Sequence, residues 1–167
     1  MKDMIYYDSK SCQVSFQDVI STIKNFLEDD ESSQYKLTIG TDSEAIFDKK
    51  NGEQLELITA IVIHRKGNGG RYFWMRKKMK NVKVLRDKIY QEVLMSIDTA
   101  KFLVPELKAR LNGMSTKYDL EIHIDVGEKG ETRDMIREVV GMVSGNGYIA
   151  KTKPFSYAAS NIADRHI

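Results

Sequence analysis

Apolar residues recur along this chain with two different periods, and the switches between them mark out its elements. Phe16, Val19, Ile20, Ile23 and Leu27 follow at three- and four-residue steps, the stripe of an amphipathic helix over about residues 16–28. Ser15 is placed to cap it, with Asp18 in the first turn. After a polar, serine-bearing connection, Leu37, Ile39 and Thr41 alternate with Lys36, Thr38 and Gly40, which predicts a strand with one face on a core. That strand is expected to end at Asp42. Asn51-Gly52 signals a turn, residues 55–64 are apolar on both faces, and Gly67, Gly69 and Gly70 mark the next turn. Residues 71–79 form a third strand, with Tyr72 and Trp74 on one face and Phe73, Met75 and Met79 on the other. Three strands joined by short turns predict an antiparallel meander.

From residue 84 to 104 the helical period returns in Leu85, Ile89, Val93, Ile97 and Ala100. Glu92 falls only about 20° outside that arc, whereas Asp87 and Asp98 fall on the far side. Glu92 is thus the acid of this helix placed to look towards the sheet. Pro105 should break the helix or start a short further one closed by Gly113. A strand over 118–126 turns Leu120, Ile122, Ile124 and Val126 one way and Glu121, His123 and Asp125 the other. Thr132 can cap a helix carrying Ile136, Val139, Val140 and Val143, which Gly145 and Gly147 end. A last strand, 148–153, stops at Pro154, and Ser156 caps a terminal helix, 157–165. There Ala159, Ile162, Ala163 and His166 make the packing side and Tyr157, Ser160 and Asp164 the polar side. The expected product is a single α/β domain over 1–167: a mixed five-stranded sheet with helices on both faces.

Composition adds limits rather than a function. With 167 residues, 41% hydrophobic and 30% charged, the chain is an ordinary globular protein, and its net charge of +2 decides nothing about partners. Cys12 is the single cysteine, so no internal disulfide can form and a reducing compartment is expected. No apolar leader or spanning stretch stands out, so no membrane association and a cytoplasmic location are expected. Arg76, Lys77, Lys78, Lys80, Lys83 and Arg86 concentrate beside Tyr72 and Trp74. They fit either a phosphate-backbone track for nucleic acid or a charged edge that blocks sheet aggregation.

Candidate chemistry lies in the acids. A carboxylate where a core strand gives out is costly to desolvate unless a cation compensates it or water solvates it. Asp42 and Asp125 stand at strand ends, Glu92 and Asp164 on helices. That element order, with carboxylates at IGTDSE, IYQEVLMS, HIDVG and NIADRHI, resembles the ribonuclease-H-like fold. The wording KPFSYAASNIADRH is similar to a narrower bacterial group, the YkuK-like proteins. The likeness implies a metal-dependent nuclease acting on RNA, an RNA–DNA hybrid or structured DNA, with two Mg²⁺ or Mn²⁺ ions held by Asp42, Glu92, Asp125 and Asp164. Oxygen-rich cradles suit these ions, and two of them can activate water and stabilise a departing alkoxide. Glu44 is an auxiliary ligand candidate, sharing a strand face with Asp42. His123 is a candidate proton shuttle, although on a strand such a residue is more often a plain hydrogen-bonding group. Arg76, Lys77, Lys78 and Lys80 are the nucleic-acid-binding candidates. Asp42-x-Glu44 also resembles the first motif of 3′–5′ exonucleases, but the last motif fails, since Ser160 and Tyr157 stand four and seven positions before Asp164. Asp125-Val126-Gly127 is faintly similar to the phosphate turns of actin-like ATPases, which need two domains around one nucleotide. The alternative from another class is a catalytically inactive module that binds nucleic acid or protein.

Overall fold

At the centre of the sheet runs β3 (Tyr35–Asp48), fourteen residues long. In the computed structural model, residues 4–48, 52–80, 84–112, 118–128 and 132–166 are described. Strand β3 pairs antiparallel with β4 (Gly52–Arg65), from Tyr35↔Arg65 to Asp48↔Gly52. Strand β5 (Gly70–Lys80) continues the meander. On its other side β3 pairs in parallel with β6 (Tyr118–His123), and β6 in turn with β7 (Ile149–Lys151). Beyond β5 lie two short strands, β1 (Tyr6–Asp8) and β2 (Gln13–Val14), giving, among the described residues, seven strands in the order β2-β1-β5-β4-β3-β6-β7. Seven replaces the expected five because two- and three-residue strands are too short to show a period.

Alternation along the strands divides the sheet into two faces. Leu37, Ile39, Leu57, Ile61, Ile63, Phe73, Met75 and Ile122 enter one core. All three α-helices cover it: α1 (Phe16–Glu28), α2 (Leu85–Leu111) and α3 (Ile136–Gly145). Helix α1 starts as its sequence predicts. Ser15 and Asp18 close a capping box, each side chain accepting from the other residue's backbone N–H.

Several boundaries differ from expectation. Strand β3 does not end at Asp42, because its hairpin partner β4 continues beside it for six more positions. Helix α2 does not break at Pro105. Leu103, Leu107 and Leu111 are all buried along one side, and that packing holds the helix together past the missing N–H. Asn112, at φ +40°, closes α2 in the left-handed conformation. The expected stop at Gly113, together with Asn51 and Lys83, lies outside the described residues. Strand β6 stops at His123, although Ile124 N–H still donates to Lys151 C=O at the end of β7 and Val126 C=O accepts from Lys153 N–H just beyond it. Thr132 caps no helix, and its Oγ1 accepts from Gly127 N–H at 3.5 Å before a 3₁₀ turn leads into α3.

The second face of the sheet is covered by the last residues of the chain. These wind as a π-helix (Ala158–Ala163) followed by a 3₁₀ turn (Asp164–His166), not as the expected α-helix. Ala158 and Ala163 are buried against Ile58, Ala60, Val62 and Trp74, and Tyr157 and Ile162 pack beside them. Each pair is five residues apart, the π hydrogen-bond spacing. Tyr157 therefore sits on the packing side rather than with Asp164. Tyr157, not Ser156, occupies the N-cap position, with no side-chain cap.

The capping box makes a checkable contribution. Ser15→Ala should lower unfolding stability by about 1 kcal/mol, read as a lower urea midpoint at unchanged slope.

Candidate active site

Strand β6 accompanies β3 only as far as Gly40↔His123. Two more steps in that parallel register set Asp42 alongside Asp125, where the flank of β3 is no longer paired to β6. Asp42 lies opposite Ile58, whose side chain belongs to the face under the C-terminal turns. Ser43, one residue on, points the other way, and its Oγ donates to Glu92 Oε1 of α2 at 2.6 Å. Asp164 opens the 3₁₀ turn over the second face. Acids from both faces of the sheet thus gather around the open flank of β3.

Their electrostatics are those of like charges crowded in a poorly solvated place. Glu92 is buried, and that desolvation, opposed by Ser43 and reinforced by Asp42 and Asp125, pushes its carboxyl up to about 8. Asp42 is half-buried. Desolvation raises its pKa, Asp125 and Asp164 add to the rise, and the Ser43 N–H, donating at 2.8 Å, and Lys88 oppose it. Asp125 gives Oδ2 to Lys153 Nζ at 2.9 Å, while its buried Oδ1 has no hydrogen-bond partner. Lys88 Nζ stands 3.9 Å from Glu92 Oε1, one helical turn away. Among the described residues, no three His, Cys, Asp or Glu side chains are arranged to hold one ion as they lie. Asp125 is drawn towards Lys153 and Glu92 towards Ser43.

The auxiliary candidates fare differently. Glu44 is half-buried on the same face as Asp42, opposite Glu56 in the ladder. His123 is fully buried and occupied at both ring nitrogens: Nδ1 accepts from Ala158 N–H at 3.1 Å, and Nε2 faces Glu121 Oε2 at 3.3 Å. Nδ1 as acceptor assigns the proton to Nε2. Burial pulls its pKa down to about 4, so at neutral pH it is an uncharged pillar beneath the C-terminal turns.

The basic stretch divides by alternation. Arg76 spends its guanidinium on Glu56, at 2.7 Å, and on the His166 carbonyl, so it braces β5 to β4 and to the chain's last turn. Trp74 is 5% exposed and stacks with Tyr7 at 4.4 Å and with His166 at 4.2 Å, which removes it as a platform for bases. Lys78 and Lys80 are exposed on the face of Asp42, and Lys77 is exposed on the helix face. Arg86 pairs with Glu138 and Tyr90, joining α2 to α3. A cleft of about 590 Å³ lined by Lys36, His64, Asp119 and Tyr157 lies at the opposite end of β3, away from the acids.

Sequence reasoning missed Ser43, Lys88 and Lys153. Lys88 was within reach of it, four residues before Glu92 on one helix. Lys153 was not, because its place beside Asp125 follows from the register His123↔Lys151 between two strands far apart in sequence.

A central strand, a crossover helix, a parallel strand end and the closing turns, each carrying one acid around a mixed sheet, define an α/β protein of the ribonuclease H type. The chain belongs to the Ribonuclease H-like family, whose model matches residues 18–167. It is 34% identical to "Uncharacterized protein YkuK" of Bacillus subtilis (strain 168), an alignment that covers 96% of this chain and 95% of that protein. No solved structure matches the chain significantly.

Glu92 gives the site a pH signature. Its folded-state pKa lies above the unfolded one, so its contribution is fully present below about pH 4.5 and is lost as pH rises through about 8. Glu92→Gln keeps the acceptor for Ser43 and removes the titration. The variant should exceed wild type in stability by a margin that widens by on the order of 3 kcal/mol between pH 5 and pH 9. Denaturant melts across that range check it, and a constant margin would place the wild-type carboxylate in water.

Proposed function

We propose that this protein is a metal-dependent nuclease that hydrolyses phosphodiester bonds of RNA, RNA–DNA hybrid or structured DNA. The observation that carries the reading is the gathering of acids at the open flank of β3: the parallel register sets Asp42 alongside Asp125, and Ser43, the next residue, holds Glu92 at 2.6 Å. Burying like charges together is unfavourable for stability and for docking a polyanion, unless cations join them.

The donor set fits Mg²⁺ or Mn²⁺. It is all oxygen, and the unpartnered, buried Oδ1 of Asp125 is a lone pair awaiting a cation. Asp42, Glu92, Asp125 and Asp164 would hold the metal, with Glu44 as an auxiliary ligand. When bound, two such ions supply an activated water and charge stabilisation for the departing oxygen. The remaining work falls to this chain's own groups. Ser43 orients Glu92 through its 2.6 Å hydrogen bond, and Lys88 adds positive charge on the same side. Glu92, neutral near pH 7 before loading, loses a proton when a cation arrives, so loading releases protons. Lys78 and Lys80, on the face of Asp42, are placed to meet backbone phosphates, which fits a nucleic-acid partner without sequence readout. A cytoplasmic location fits the single, exposed Cys12 and this class of substrate. No helix among the described residues is long and apolar enough to cross a membrane.

A second reading, an inactive ribonuclease-H-like module that binds nucleic acid or protein, is favoured by the exposed position of Asp164 and by the absence of a ready-made three-ligand cluster among the described residues. The 3′–5′ exonuclease variant rests on Asp42 and Glu44 sharing a strand face.

A cleavage screen over hybrid, single-stranded and duplex substrates with Mg²⁺ or Mn²⁺ separates these readings. Cleavage should vanish with chelator and fall at least about 100-fold in Asp42→Asn and in Asp125→Asn. Activity equal to wild type in both variants would assign it to another site or a contaminant. Binding without cleavage under every condition would establish the inactive module.

A further inference from the structure

Two lysines already stand where the acids would welcome positive charge. Lys153 Nζ is 2.9 Å from Asp125 Oδ2, a direct ion pair to a carboxylate whose side chain is only 20% exposed, while the lysine itself is 50% exposed. Lys88 acts more diffusely, 3.9 Å from Glu92 and within electrostatic reach of Asp42. The pairing of Lys153 is fixed by the fold. Parallel β6 and β7 set His123 beside Lys151, and the same register continued by two sets Asp125 beside Lys153. The backbone holds that extension, with Lys153 N–H donating to Val126 C=O at 2.9 Å. The Lys153 stem also lies over Gly127, where a Cβ would come within 3.2 Å of it. This lysine is therefore seated rather than swinging freely from a loop.

We propose that Lys153 is a resident counter-cation that competes with a divalent ion for Asp125, so that its ammonium opposes metal loading. The inference rests on the metal-dependent reading above and adds to it a residue outside the ligand set. Its physical basis is one carboxylate facing two cations. An ammonium held on Oδ2 weakens the charge that Oδ1 offers a metal, stands as a like charge beside that metal, and prevents Asp125 from offering both oxygens to it. With Lys153 in place, the acids are partly neutralised and the fold bears less repulsion. With Lys153 displaced, its charge is released beside the site, free to meet a phosphate. The device explains why acids that sense one another electrostatically are not arranged as a closed ligand cluster: one of them is occupied by the protein's own cation.

The test is Mn²⁺ affinity, measured on the full chain by calorimetry and by the loss of free-ion paramagnetic signal. Lys153→Met keeps the apolar stem over Gly127 and removes the ammonium. It should bind Mn²⁺ about tenfold more tightly than wild type, whereas Lys153→Arg, which can still pair with Asp125, should stay near wild type. Lys88→Met serves as the control for general field effects and should shift affinity less. In chelator, Lys153→Met should melt at or below the wild-type temperature, yet gain more than wild type on adding Mn²⁺. Equal affinities for wild type and Lys153→Met would overturn the competition while leaving the metal site intact. Equal gains in Lys153→Met and Lys88→Met would reduce it to a field effect. If no protein in the set binds Mn²⁺ at millimolar concentration, the metal-dependent reading itself fails and the competition with it.

Discussion

The parallel register between β3 and β6 is the constraint on which the site depends. It brings together two segments about eighty positions apart and stops where the first acid begins. Because side chains alternate along a strand, a slip of one residue would move Asp42 to the helix face and turn Ser43 away from Glu92. Such a slip would also turn Lys36 and Thr38 into the helix-side core in place of Leu37 and Ile39. The apolar core thereby polices the geometry of the polar site. No separate device is needed to align the acids, since what holds Leu37 and Ile39 down also sets Asp42 at the open flank.

That arrangement has a cost in stability. Glu92 sits at 5% exposure among other acids, and burial works against the ionisation of both Glu92 and Asp42. Elsewhere in the sheet several buried polar groups are shared between elements. Thr41, Thr59 and Ser96 share hydroxyl hydrogen bonds between sheet and helix, and His123 is satisfied at both nitrogens. The repulsion between carboxylates is concentrated in one place, and that concentration separates a site from ordinary surface acidity.

How much of this was legible in the chain depends on the range of the signal. Helix α1 and its cap, the faces of β5 and the inward tilt of Glu92 follow from local periodicity, and all three are as the sequence predicts. Pro105 misled because a local rule against proline was outweighed by the long-range packing of Leu103, Leu107 and Leu111. The terminal segment misled because α spacing was assumed where five-residue spacing holds, which misplaced Tyr157. The basic stretch was legible as charge but not as partnership. Only the fold shows that Arg76 is committed to Glu56 and that Trp74 is enclosed by rings. Lys153 was invisible for the same reason, since strand neighbours in a parallel sheet leave no trace in sequence spacing.

The ring stack also gives β1 a purpose. Asp164 is two residues from His166, whose ring rests on Trp74, and Trp74 rests on Tyr7 of β1. Here β1 serves as a buttress, transmitting the stiffness of the sheet through three aromatic planes to the turn that carries Asp164. The strand β1 beyond the meander thus braces the acid that has no strand or long helix of its own to stand on.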